Sequence, residues 1–162
     1  MEVPCITTDT LYDRRVAYRT VVVGTDGSDS SLRAVDRAGT IAAKADAKLI
    51  IATAYLPHTE NPREADLLKD EGYLVSGNAP VYAILRAARD RAAAVGARHP
   101  DERAVVGAPV DALVELAEDV KADLLVVGNV GLNTFADRVL GSVPTAISRR
   151  ARTDVLIVHT TG

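Results

Sequence analysis

Two glycine-containing steps near the C-terminus carry the side-chain and backbone types that hold phosphate. Gly128-Asn129-Val130-Gly131 closes an apolar run, and Gly141-Ser142 follows after the nine residues Leu132 to Leu140. Glycine has no Cβ, so backbone at Gly128 and Gly131 can approach a ligand closely. Ser142 stands before a helical pattern, where a serine serves as N-cap. The free N–H groups of a first helical turn form an anion site. The chemistry in view is anion binding by backbone donors. Glycine at a strand end and serine at a helix start are also ordinary punctuation, so spacing and context must decide. Two better-known signatures are missing. No Gly-Lys-Ser/Thr follows these glycines, and Gly24-Thr25-Asp26-Gly27-Ser28 does not make G-x-G-x-x-G.

Other reactive types do not assemble into a catalytic pattern. His58, His99 and His159 have no serine or cysteine partner at a motif spacing. Asp26 and Asp29 could hold Mg²⁺ through a bound triphosphate, but the pair equally places negative charge at a helix N-terminus. Arg149, Arg150 and Arg152 could meet phosphate, yet cations in a last helical turn ordinarily complement the dipole. Cys5 is the single cysteine of the 162 residues and has no partner for a disulfide. The formal net charge is -3, which gives no basic footprint for nucleic acid. No apolar run approaches the ~18 residues needed to span a bilayer, and residues 1–15 lack the apolar core of a secretory signal. A cytoplasmic protein is expected.

Five short apolar runs must position the glycine steps: Thr20 to Gly24, Leu49 to Tyr55, Ala104 to Gly107, Asp123 to Gly128 and Asp154 to His159. They are nearly continuous and do not alternate, which predicts strands buried on both faces of a parallel sheet. Between them, Leu32, Val35, Ile41, Ala42 and Ala45 form one helical stripe. Val81, Ile84, Leu85, Ala88, Ala92 and Val95 form a second. Val110, Leu113, Val114, Ala117 and Val120 make a third, and Val143, Ala146 and Ile147 begin a fourth. Alternating strands and helices call for an open parallel α/β sheet. The second crossover, from about Leu56 to Arg103, is rich in breakers. It is read as a loop over 56–78 with a short helix around Glu64 to Glu71. In such sheets ligands sit beyond the carboxyl ends of the strands, where strand order reverses.

The spacing G-x2-G-x9-G-S resembles the nucleotide-binding branch of the universal stress proteins, especially its small actinobacterial-type members. So do the opening VGTDGSDSS, the VGAPVDALVELAE segment and the closing DVLIVH. The resemblance covers Ala17 to Thr161, leaving residues 1–16 as a flexible extension and 17–162 as one nucleotide-binding domain. It implies a Rossmann-like, five-stranded parallel sheet in the order 3-2-1-4-5, with helices on both faces. It also implies a homodimer through Val155, Leu156, Ile157 and Val158. Carried over by position, Asp26 would meet the ribose, with Thr25 beside it among the nucleotide contacts, Ala54 would meet the adenine edge and Val127 the base. Gly128, Asn129, Gly131, Gly141, Ser142 and Val143 would surround the phosphates.

Two residues depart from a triphosphate cradle. Pro144 removes one N–H donor from the first turn, where proline is otherwise sterically welcome. Asp137 in the bridging loop opposes phosphate if turned inward, whereas Arg138 beside it would help. AMP or cyclic AMP therefore competes with ATP as the expected ligand, and Mg²⁺ would accompany only the triphosphate. The expected function is a non-catalytic, stress-related nucleotide sensor or reservoir; the alternative is a slow ATPase or autophosphorylating phosphotransferase.

Overall fold

The computed structural model describes residues 18–56, 79–129 and 142–159. The expected extension over 1–16, the helix near 64–71, and Gly131, Asp137, Arg138 and Gly141 lie outside them. Within the described residues, elements follow in the order β1 (Thr20–Gly24), α1 (Asp29–Ala45), β2 (Lys48–Tyr55), α2 (Ala79–Ala94) and β3 (Asp101–Val106). Then come α3 (Pro109–Asp119), β4 (Leu124–Gly128), α4 (Ser142–Arg150) and β5 (Asp154–Val158). The sheet order is β3-β2-β1-β4-β5, and every neighbouring pair is parallel. This is the expected order. Among the described residues no helix is long and apolar enough to cross a membrane.

The apolar runs become strands because both sheet faces are covered. Val21, Val22 and Val23 of central β1 have no solvent exposure. Val21 and Val23 face a cluster built with α1 and α2, through Val35, Ala38, Leu85 and Ala88. Val22 faces the opposite cluster, with Leu113 and Leu116 of α3 and Ile147 of α4. Each buried Val, Leu or Ile of this kind contributes about 1.5–3 kcal/mol. A polar substitution in β1 would therefore be felt on either face.

Edge strand β3 begins earlier than its apolar residues indicate. Asp101, Glu102 and Arg103 pair with Ile50, Ile51 and Ala52 of β2. Charged residues suit a strand with one unpaired edge and discourage pairing with another chain. At the far side of the sheet, Arg150 of α4 meets Asp111 of α3, and Arg152 approaches Glu118 at 3.9 Å. Arg150 in the last helix and Arg152 just beyond it both reach acidic residues of α3.

Helices α1 and α2 pack unusually closely at Gly39. A Cβ there would meet Val95 Cγ2 at 2.7 Å and Ala92 Cα at 3.2 Å. Beside it, Arg91 Nε donates to Asp36 Oδ1 at 2.9 Å, and the second guanidinium nitrogen reaches Oδ2. That hydrogen bond pushes the Arg91 pKa up. Gly39→Val is expected to cost about 2 kcal/mol through overpacking. The melting temperature should fall by about 4–8 °C in a thermal scan, and an unchanged midpoint would contradict the contact.

Candidate functional site

Strand order reverses between β1 and β4, and the chains that follow them lead to helices on opposite faces, the position at which open α/β sheets form a ligand-binding opening. The loop after β1 is held by hydroxyl groups. Thr25 N–H still donates to Ala52 O at 2.9 Å, continuing the sheet by one bond. Ser31 Oγ donates to Ser28 O at 3.0 Å, which leaves Thr25 Oγ1 as the donor in its 2.8 Å bond to Ser31 Oγ. Asp26 N–H donates to the same Ser31 Oγ, and Gly27 N–H donates to Thr25 Oγ1, both at 3.2 Å. Ser28 caps α1 by accepting from Ser31 N–H at 3.2 Å. Gly27 has φ +84°, a backbone region that glycine enters without strain.

Asp26 is not the cap. Its Oδ1 accepts from Ser28 N–H at 2.9 Å in an Asx-type turn, and the residue is exposed beside the opening. Thr25 is 7% exposed, and its hydroxyl is spent within the loop. The Thr53 hydroxyl donates to Thr25 O at 3.0 Å, fixing the loop to β2 from beneath.

Ala54 lies where β1 has already left the sheet. The β1–β2 ladder runs to the Gly24–Ala52 pair. Ala52 O faces β1 because it accepts from Thr25, while Tyr55 O faces β3 because it accepts from Gly107 N–H. Peptide groups alternate sides along a strand, so the Ala54 N–H and C=O point into the side that β1 vacates. That is the kind of backbone donor and acceptor pair a planar base edge can meet.

Gly128 has a packing reason to lack a side chain. A Cβ there would meet Ser30 Oγ at 2.7 Å and Ser30 O at 3.1 Å. The glycine is required by the close seating of α1 on the end of β4. Val127 is 4% exposed, within the core cluster that holds Leu113 and Ile147. Asn129 is buried, and its N–H donates to Val158 O at 3.0 Å. Ser142 is the first residue of α4, so the cap position falls at 141, outside the described residues. Val143 is half-buried and packs on the same core cluster as Val127. The structure thus brings Thr25, Asp26, Ala54, Gly128 and Asn129 to one end of the sheet.

The Ser28, Ser31 and Thr53 hydroxyls that hold this loop are not among the residues the sequence singles out. The one available signal was Ser28-Asp29-Ser30-Ser31 following a glycine at a strand end.

A model of the universal stress protein family matches residues 17–159. Universal stress protein Rv1636 of Mycobacterium tuberculosis is 69% identical over 145 residues, covering 90% of this chain and 99% of that protein. Among solved structures, a universal stress protein in complex with cAMP is 66% identical with a TM-score of 0.69, covering 88% of this chain and 98% of that one. Universal stress protein UspA from Lactobacillus plantarum, at 22% identity, has a TM-score of 0.74 over 88% of this chain and 99% of its own. That likeness concerns the fold.

Gly128→Ala is expected to destabilise the ligand-free protein by about 1–3 kcal/mol, as overpacking does. In a Ser30→Ala background the loss should shrink, because the nearest clashing atom is gone. Urea denaturation of the four variants in a double-mutant cycle reads the coupling. Strictly additive losses would show that Gly128 is kept for another reason.

Proposed function

Starting from a chain that belongs to the universal stress protein family, we propose that this protein is a non-catalytic binder of an adenine nucleotide. The ligand would sit at the carboxyl ends of β1, β2 and β4, in a cytoplasmic protein acting as a stress-related sensor or reservoir. The observation that carries this reading is the cAMP complex of a universal stress protein 66% identical to this chain. The opening at the reversal of strand order supports it on independent grounds. In this reading Asp26 accepts from ribose hydroxyls with its exposed carboxylate, and Thr25 holds the turn that presents it. Ala54 offers its peptide groups to the adenine edge, and Val127 backs the base. Gly128, Asn129, Gly131, Gly141, Ser142 and Val143 enclose the phosphate.

A single phosphate suits these donors better than three. Pro144 lies in the first turn of α4 and contributes no N–H. A cyclic monophosphate carries one charge and needs fewer donors than a triphosphate. Among the described residues no three acidic, histidine or cysteine side chains converge on a metal position. A Mg²⁺ ion arriving with ATP would therefore be held chiefly by the ligand's own phosphate oxygens.

Calorimetric titration tests the reading directly. We expect cAMP to bind at least as tightly as ATP; a hundredfold preference for ATP overturns the monophosphate assignment. Asp26→Ala should weaken cAMP binding by about tenfold or more, as loss of a hydrogen bond to a charged group does. Unchanged affinity would remove Asp26 from the site.

The proposed dimer follows from the two sheet edges. β3 is guarded by Asp101, Glu102 and Arg103, whereas Val155, Leu156 and Ile157 of β5 are apolar and only half-buried. An unguarded edge strand is a template for pairing with a second copy. Light scattering should give twice the chain mass, and Ile157→Lys should halve it. A monomeric native protein at micromolar concentration would refute this pairing.

A further inference from the structure

A cavity of about 190 Å³ lies at the amino ends of β4 and β5, between the C-terminal end of α3 and the chain just beyond α4. It is at the opposite end of the sheet from the proposed nucleotide site. Small side chains create it. Ala117 belongs to α3, Ala122 leads into β4 and Ala151 follows α4, so three elements meet there with only methyl groups between them. Val114 of α3 completes the apolar wall. Protein interiors leave few voids larger than a water molecule, and a cavity of about 150 Å³ is enough to hold benzene. The space therefore suits one ring or a chain of about six carbons.

The charge around the opening is one-sided. Lys121 and Arg152 line it as cations, against the single carboxylate of Glu118. Arg152 Nε approaches Glu118 Oε1 at 3.9 Å, and their side chains are 88% and 50% exposed. A solvated pair at that distance contributes little, so the guanidinium keeps donors for a ligand. The Lys121 ammonium has no side-chain partner among the described residues. The Thr153 hydroxyl spends its proton on Ala122 O at 2.8 Å, so donors must come from the two cations. Helix-end carbonyls do not occupy them. Those of Leu116, Ala117 and Glu118 accept from the N–H groups of Val120, Ala122 and Lys121. Lys121 also has φ +53°, just past the cap of α3. Backbone preference alone places glycine at such a position.

We propose that this cavity is a ligand site of its own, which takes a small apolar monocarboxylate, an aromatic or short-chain acid. The apolar body fills the space between the alanines, and the carboxylate meets Lys121 and Arg152 at the mouth. The inference does not depend on the nucleotide reading.

Benzoate is the probe, titrated into the isotope-labelled full chain and followed by amide chemical shifts. A dissociation constant of about 1 mM or tighter is expected, with the largest shifts at Ala122 and Thr153. Benzylamine, similar in size and opposite in charge, should bind about tenfold more weakly. Lys121→Gly should weaken benzoate about threefold, and Arg152→Gln likewise, as loss of an exposed ion pair does. Glycine suits the left-handed position, so the melting temperature of Lys121→Gly should not fall. Its weaker binding then reports the lost ammonium and not a damaged fold. Ala151→Leu fills the cavity and should abolish binding. No saturable shift with benzoate up to about 10 mM overturns the proposal. So do shifts confined to the other end of the sheet, or wild-type affinity in either Ala151→Leu or Lys121→Gly. Benzylamine binding as tightly as benzoate overturns the assignment of an anionic ligand.

Discussion

Two strand-ending glycines set how closely helices approach the sheet at its reversal point. Gly24 leaves room for Leu113 of α3, whose Cδ1 would lie 2.6 Å from an added Cβ. Gly128 leaves room for Ser30 in the first turn of α1. One helix is thereby seated on each face, from opposite sides of the β1–β4 pair. The rest of the site inherits its position from that seating. If α1 stood one methyl group further out, Ser31 would not reach Thr25, and the loop carrying Asp26 would lose its anchor.

That loop is held by its own hydrogen bonds. Thr25 donates to Ser31 and Ser31 donates to the Ser28 carbonyl, so these hydroxyl hydrogen bonds run in one direction. Buried hydroxyls left unpaired would cost about 1–3 kcal/mol each, so the network fixes one geometry and penalises others. What it leaves outward are the Asp26 carboxylate and, across the gap, the peptide groups of Ala54. Preorganisation of this kind lowers the ordering cost that binding must otherwise meet.

The sheet was legible in the sequence because parallel strands buried on two faces read as unbroken apolar runs. Val21 to Val23 and Leu124 to Val127 are the clearest cases. The start of β3 was not legible, since Asp101-Glu102-Arg103 looks like a turn until its place at an edge is known. At the site, residue positions could be read more readily than residue roles. Gly128 stands where a ligand cradle needs a glycine, yet its missing Cβ accommodates Ser30. Ser28, two residues after Asp26, caps α1, and the Asp26 carboxylate is left at the surface. The close contact at Gly128 depends on how near α1 comes to β4, a through-space quantity that local spacing does not encode. The hydroxyl network escaped notice for the same reason, because Thr53 reaches Thr25 across 28 positions of chain.

A rigid site constrains how occupancy could be communicated. A ligand shifts a protein's state only through different affinities for two conformations, and the loop after β1 offers little latitude for a second one. The chain after β4 is tied differently. Asn129 bonds to the end of β5 through its backbone and meets His159 through its side chain. Asn129, proposed above to meet the phosphate, is thus one backbone hydrogen bond away from the sheet edge proposed to pair with a second copy. Signals of binding would be expected along β4 and β5, while β1 and α1 supply the fixed frame against which that edge responds.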